Sequence, residues 1–251
     1  MAINEEKRNV HKARTLVSFI ALSFAVPATV THAHADELPT VSPATTAKAA
    51  GMVSIQSLVA DIRLDMRYAG DNNFVGKPVR GYEAAHCYLL KSVAEALQRV
   101  EMALRQQSMR LRIFDCYRPV RAVTNFVEWA DDLSDQRTKP RYYPKLEKSE
   151  LLGDYIAPTS GHSRGATLDL TLMTCSGSGE CTSLDMGTDF DFFDTLANTD
   201  SPDITPQQQA NRQRLRAAMQ KEGFRNYAME WWHYTFQPEP SKDTSYDFVV
   251  K

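Results

Sequence analysis

Asp169 lies inside a run that otherwise has the composition of a buried strand: Leu168, Leu170 and Leu172 surround it, together with Thr167 and Thr171. A carboxylate buried there loses its hydration and costs several kcal/mol unless a cation pairs with it. Any fold that buries this strand must therefore bring positive charge to Asp169. The stretch Ser160–Leu172 (SGHSRGATLDLTL) already places His162 in a Gly/Ser-rich turn seven residues upstream. A divalent metal shared by His162 and Asp169 meets the demand, provided the chain turns at Gly165 and runs on as a strand.

A catalytic zinc takes three protein ligands and leaves a fourth position open. Histidine is scarce: beyond the first 35 residues only His86, His162 and His233 remain. The stretch MEWWHYTF supplies His233 together with Glu230, a candidate base. Glu-x-x-His is not the helical zinc-peptidase pattern, in which two histidines sit four apart on one face. In a flat strand, positions three apart point to opposite faces. Glu230 and His233 can share a site only if the chain bends or bulges at Trp231–Trp232. Each pair alone is weak evidence, and their co-occurrence carries the reading. Asp185, Asp189, Asp191 and Asp194 form an acidic stretch without the central Gly and bidentate Glu of a calcium loop. It is expected to form an acidic wall of the pocket. Trp231 and Trp232 are expected in the core and the pocket lining.

The N-terminus reads as a cleavable signal peptide, residues 1–35. Lys7, Arg8, Lys12 and Arg14 precede the apolar run Leu16–Val30, and Ala33-His34-Ala35 gives a small-x-small cleavage site. Fifteen residues interrupted by Pro27 fall short of the roughly 20 that span a bilayer. Removing 35 residues from 251 leaves 216, enough for one domain with a sizeable core. Taking four Lys/Arg from 29 and two Asp/Glu from 31 leaves 25 against 29, a formal charge of −4. That balance excludes a general attraction to nucleic acid. Export to the periplasm is expected, with no membrane insertion after cleavage and no protein partner.

Export gives the cysteines meaning. Cys87, Cys116, Cys175 and Cys181 are an even set for an oxidising compartment. Four cysteines allow three pairings. Cys175 and Cys181 bracket the flexible SGSGE and can close on each other, which leaves Cys87 with Cys116. No C-x-x-C spacing supports a cysteine zinc site.

Residues 36–52 are Pro/Thr/Ala-rich and read as a flexible lead-in to a catalytic domain over 53–251. Alternation from Ile62 to Tyr68 predicts an early half-buried strand, followed by a turn-rich loop, Gly70–Gly81, able to cover a pocket. Leu90, Val93, Leu97, Val100 and Leu104 predict a helix over Leu90–Gln107. Leu111–Cys116 reads as a strand, with Pro119 at the first position of a second helix. Thr205-Pro206 opens a last helix that ends before Gly223, and Phe224–Phe236 reads as two short strands around a turn. The irregular order, without a repeated βαβ unit, predicts an α+β single domain with a mainly antiparallel sheet and flanking helices.

FDCYRP, SGHSRGATLDLTL, DMGTDFDFF and LRAAMQKEGFRNYAMEWWHY occur in that order. With DMRYAGDNNFVGKPVRGYE they resemble the VanX-type zinc D-alanyl-D-alanine dipeptidases over nearly all of 54–251. The resemblance implies a zinc D,D-peptidase fold and hydrolysis of free D-Ala-D-Ala, a small-molecule dipeptide, with one Zn2+ per chain. By it, His162, Asp169 and His233 match the zinc ligands, Glu230 the general base, and Arg118 the arginine that steadies the tetrahedral intermediate. Tyr68, Ser160 and Asp191 match positions near the substrate amino end. The departures are the export signal, the cysteines with the 175–181 loop, and Gly161 in place of a more usual Ser. The alternatives are a D,D-carboxypeptidase trimming peptidoglycan stem peptides and a non-catalytic zinc or wall-peptide binding protein.

Overall fold

The computed structural model describes residues 39–177 and 179–251; the expected signal peptide lies outside the described residues. Ten strands and four helices follow in chain order. They are β1 (Thr40–Val41), β2 (Met52–Ser54), β3 (Arg63–Leu64), β4 (Tyr88–Leu90), α1 (Lys91–Arg105), β5 (Met109–Asp115), α2 (Val120–Asp131) and α3 (Lys139–Tyr142). After these come β6 (Thr167–Cys175), β7 (Cys181–Ser183), α4 (Pro206–Lys221), β8 (Phe224–Asn226), β9 (His233–Phe236) and β10 (Thr244–Ser245). The main sheet has the order β3-β5-β6-β9-β8, with β7 paired to β6. Only β3–β5 is parallel in it, so the α+β, mainly antiparallel expectation holds.

β6 is the centre of the sheet, hydrogen-bonded to β5 on one side and to β9 on the other. Both of its faces are covered, and Thr167 through Met173 are all buried. That explains the continuous apolar run, and it is why Asp169 needs compensation. α1 packs on β5, while α4 packs on β8, on β6 and on α1. α1 turns Val93, Leu97, Val100 and Leu104 inward at the predicted spacing. α4 begins on a capping box between Thr205 and Gln208, with Pro206 at its first position.

The structure departs from the sequence reading at three places. Residues 36–52 are not a patternless lead-in over the described part. Thr40–Val41 pairs in parallel with β10, and Ala50 and Met52 are buried in the core. The alternation from Ile62 to Tyr68 is real as burial, with Ile62, Met66 and Tyr68 inside, but only Arg63–Leu64 is strand. A short 3-10 turn, Arg67–Ala69, takes over and tucks Tyr68 inward. Pro119 stands one residue before α2, at its N-cap. Its ring still suits that junction, because the missing N–H is one the helix start would leave unpaired.

Both disulfides form as Cys87–Cys116 and Cys175–Cys181. The first ties the residue before β4 to the residue after β5. The second closes the β6–β7 hairpin across SGSGE.

Candidate metal centre and substrate cavity

The sheet register assembles the centre. Asp169 on β6 lies opposite His233 on β9 and, on its other side, opposite Asp115 on β5. Directly opposed residues in neighbouring strands share a face. Asp115 reaches this row through a bulge, because the β5–β6 register shifts between Ile113 and Asp115. Without the shift, Phe114 would face Asp169 and Asp115 would face Leu168. The bulge re-aims one side chain at a site, which is a recurrent use of the device.

His162 comes from a 3-10 turn, Gly161–Arg164, capped by Ser160, whose hydroxyl accepts the His162 backbone N–H at 3.3 Å. The turn closes on Gly165 at φ +75, and a Cβ there would collide with the Met52 side chain. Glycine is required, and the chain then runs straight into β6. A carbonyl can only accept, so His162 Nδ1–H donates to the Cys116 carbonyl at 2.7 Å. That contact sets the tautomer and turns the Nε2 lone pair toward the centre.

Glu230 and His233 meet because 227–232 is a tight loop and not a flat strand. Glu230 N–H donates to the Tyr227 carbonyl, His233 N–H to the Glu230 carbonyl and Tyr227 N–H to the His233 carbonyl. The Asn226 amide holds the carbonyls of both Glu230 and His233 at 3.0 Å. Glu230 Oε2 then lies 3.5 Å from His233 Nδ1.

The three ligand candidates fit a tetrahedral divalent metal. His162 Nε2 is 3.2 Å from His233 Nδ1 and 3.3 Å from Asp169 Oδ2, and His233 Nδ1 is 3.0 Å from Asp169 Oδ1. Metal–ligand bonds of about 2.0–2.1 Å at tetrahedral angles place ligand atoms roughly 3.3 Å apart. Asp169 Oδ1 is buried and accepts no aligned hydrogen bond, an orphaned acceptor where a metal would sit. Among the described residues these three form the one such cluster.

Electrostatics follow burial. Burial alone would raise the Asp169 pKa, but the two imidazoles overcome it and hold the carboxyl below the usual range. Burial pushes the His162 pKa down, against the pull of Asp169, so this ring favours its neutral, metal-ready form. His233 goes the other way: burial opposes its charge, yet the Asp169 carboxylate beside it raises its pKa. A metal would have to displace that proton. Glu230 is pushed up to about 7, first by burial and further by Asp169, with His233 opposing.

Tyr68, Arg118, Ser160, His162, Asp169, Asp191, Glu230 and His233 all line one cavity of about 240 Å3. That is smaller than the roughly 300–1,000 Å3 of pockets for drug-sized ligands. Its apolar wall includes Phe74, Phe126, Phe193 and Trp232. Phe74 comes from the turn-rich loop 70–81, which therefore does border the pocket. Trp231 is buried and donates its Nε1–H to Thr188 Oγ1 at 2.8 Å.

The acidic wall reduces to one carboxylate. Asp185 accepts from the Gly187 N–H and from Gln208, Asp194 caps a turn and pairs with Lys145, and Asp189 lies 3.9 Å from Arg141. Only Asp191 faces the cavity, buried, with the Tyr68 hydroxyl donating to it at 2.9 Å. Burial, and then the charge of Asp169, raises its pKa well above the carboxylate range.

Two contributors are not among the residues read from the sequence. One is the 153–159 segment, which supplies Tyr155 and Ile156 to the cavity. The other is Asp115. Fully buried, it accepts from the Tyr82 hydroxyl at 2.7 Å and from Arg118 Nε at 2.9 Å, and lies 3.5 Å from His162 Nδ1. Burial raises its pKa while Arg118 pulls it back. The Arg118 guanidinium also packs over the rings of Tyr68 and Phe126 at 5.1 and 5.0 Å. A signal was available: a carboxylate ending an apolar strand, three residues before an arginine. Asp115→Asn removes the nearer of the two carboxylates beside the buried Arg118, leaving only Asp169 Oδ2 at 3.5 Å from its Nη2. It should lower folding stability by about 3 kcal/mol, read as a lower urea midpoint. An unchanged midpoint would show that Asp115 does not hold Arg118.

The model of peptidase family M15, described as D-ala-D-ala dipeptidase, matches residues 48–251. Over 197 residues the chain is 42% identical to a D-alanyl-D-alanine dipeptidase of Streptomyces coelicolor, covering 78% of this chain and 96% of that protein. It is 38% identical over 202 residues to a D-alanyl-D-alanine dipeptidase of Enterococcus faecium, covering 80% and 98%. Over 183 residues it is 30% identical to a D-alanyl-D-alanine dipeptidase of Escherichia coli, covering 73% and 83%.

Proposed function

This chain belongs to peptidase family M15, the D-ala-D-ala dipeptidases, and is a metallopeptidase; on that premise we propose that it hydrolyses free D-Ala-D-Ala to two D-alanines, using one zinc and Glu230 as general base. The observation that carries the substrate reading is the buried Asp191 carboxylate, which faces a small cavity and, among the described residues, has one tyrosine hydroxyl as hydrogen-bond partner. A substrate ammonium supplies the missing charge.

His162, Asp169 and His233 would hold the zinc, with the Cys116 carbonyl fixing the first ring. Bound there, zinc supplies Lewis acidity, polarising a carbonyl and lowering the pKa of water toward about 7. Glu230 takes the proton of the attacking water as the new C–O bond forms. It delivers that proton to the amide nitrogen as the C–N bond breaks, so the leaving group departs as a neutral amine. Arg118, restrained by Asp115 and two aromatic rings, offers N–H donors to the charge growing on the carbonyl oxygen. One such donor contributes roughly 3–4 kcal/mol. Asp191 and Tyr68 orient the amino end, and Ser160 lines the same cavity.

The 1–35 segment as a cleaved export signal and the two disulfides support a periplasmic location. No helix among the described residues is long and apolar enough to cross a membrane.

An acyl group on the substrate nitrogen removes the ammonium and strands the Asp191 carboxylate. Free D-Ala-D-Ala should therefore exceed an acylated stem peptide ending in D-Ala-D-Ala by roughly a hundredfold or more in kcat/KM. Purified protein should carry one zinc per chain by metal analysis. Preferred cleavage of the stem peptide would identify a D,D-carboxypeptidase, and cleavage of neither would identify a binding protein.

A further inference from the structure

α4 carries a fully buried arginine that the chemistry above does not use. Arg212 Nε donates to the Met186 carbonyl at 2.7 Å, Nη1 to the Asn198 carbonyl at 2.6 Å and Nη2 to the Leu196 carbonyl at 3.0 Å. Among the described residues it pairs with no carboxylate. Burial lowers its pKa to about 10, against the distant pull of Asp185 and Asp200, so it stays charged at neutral pH. A buried cation satisfied by carbonyls alone is a poor stabilising device, because its desolvation outweighs the return. Its fork geometry, however, fixes several acceptors at once.

Those acceptors bracket one segment. Met186 lies five residues before Asp191, and Leu196 and Asn198 lie five and seven after it. Neighbouring residues of α4 add to the grip at the first end: Asn211 donates to the Asp185 carbonyl and Gln208 to the Asp185 carboxylate, both at 2.8 Å. Between the two ends Asp191 adopts φ +60, a left-handed conformation that a residue with a Cβ keeps only where its surroundings impose it. That conformation delivers its carboxylate to Tyr68 and the cavity.

We propose that Arg212 is a positioning residue for substrate selection: it clamps both ends of the 186–198 segment and so holds Asp191 where the substrate ammonium must sit. The inference rests on the reading that Asp191 receives that ammonium.

The test compares holoenzyme variants on free D-Ala-D-Ala and on N-acetyl-D-Ala-D-Ala. Arg212→Lys keeps the charge but cannot reach three carbonyls. It should raise KM for the free dipeptide by roughly ten- to a hundredfold, the scale of a small misplacement of a binding group. kcat should stay within about threefold, and the preference for the free over the acetylated dipeptide should shrink by the KM factor. Zinc content should not change. Gly187→Ala perturbs the same end of the segment without touching the charge, since Gly187 sits at φ +87 and its Cβ would press on Ile204 and Gln208. It should move the same readout, and it decides the matter if Arg212→Lys does not fold.

Asp191→Asn is the reference. If it abolishes the preference while Arg212→Lys and Gly187→Ala leave it intact, or lower activity equally on both substrates, the clamp is overturned and the ammonium reading stands. If Asp191→Asn itself leaves the preference intact, the ammonium reading fails and the clamp falls with it.

Discussion

Glu230→Gln is expected to lower kcat by roughly a hundred- to ten-thousand-fold, the range supplied by a positioned general base, while the protein keeps one zinc per chain. The amide preserves the size of the side chain and its place in the 227–232 loop, whose hydrogen bonds are made by the backbone and by Asn226. It cannot accept the water proton. Because Glu230 touches His233 only at 3.5 Å and stands outside the ligand cluster, metal affinity should change little. Steady-state kinetics on D-Ala-D-Ala together with metal analysis check both halves. A variant with full turnover would remove Glu230 as the base.

Asp169→Asn should act on the metal itself. Structural zinc sites with four ligands bind with about 10–16 kcal/mol, so one ligand accounts for roughly 3 kcal/mol, or about a hundredfold in affinity. Asparagine keeps the shape but gives up the charge, and it leaves two imidazoles and no anionic member in the ligand cluster. Chelator competition should show the affinity falling at least about a hundredfold, and activity should be lost at zinc levels that saturate the unmodified protein. Thermal unfolding gives a second reading, since a metal bound only by the folded form raises its stability by mass action. The rise in Tm on adding zinc should shrink in the variant. Unchanged zinc affinity would show that Asp169 is not a ligand and that its burial serves another purpose.

Much of this architecture is legible in local patterns. Helical spacing marks α1 from Val93 to Leu104, and Thr205, Pro206 and Gly223 mark the ends of α4. A separation of six positions lets Cys175 and Cys181 close on each other, and the structure pairs them so, with Cys87 joined to Cys116. The resemblance in SGHSRGATLDLTL and MEWWHY singles out residues that the fold does bring into one cavity. Period and motif fail where a segment owes its conformation to distant partners. Thr40–Val41 has no pattern of its own, yet it is ordered against β10, some 200 residues away. The alternation at Ile62–Tyr68 reports burial faithfully, but the switch from strand to 3-10 turn after Leu64 is set by packing.

Local composition alone states the demand at Asp169, because a carboxylate buried among Leu168, Leu170 and Leu172 needs either a cation or a proton. It also determined the residue types available for the answer: two histidines, a glutamate and an arginine. How they meet is a matter of long-range packing and pairing. A bulge in β5 sets Asp115 beside Asp169, the β6–β9 register sets His233 on its other side, and the 227–232 loop turns Glu230 onto the same face. Out of four nearby aspartates, the conformation of the 186–198 segment sends only Asp191 into the cavity. Burial preference and helix or strand period act over a few residues and are written locally, whereas strand register is settled by pairing between residues 50 or more positions apart, and the two loops depend on side chains such as Asn226 and Arg212 that have no periodic signature.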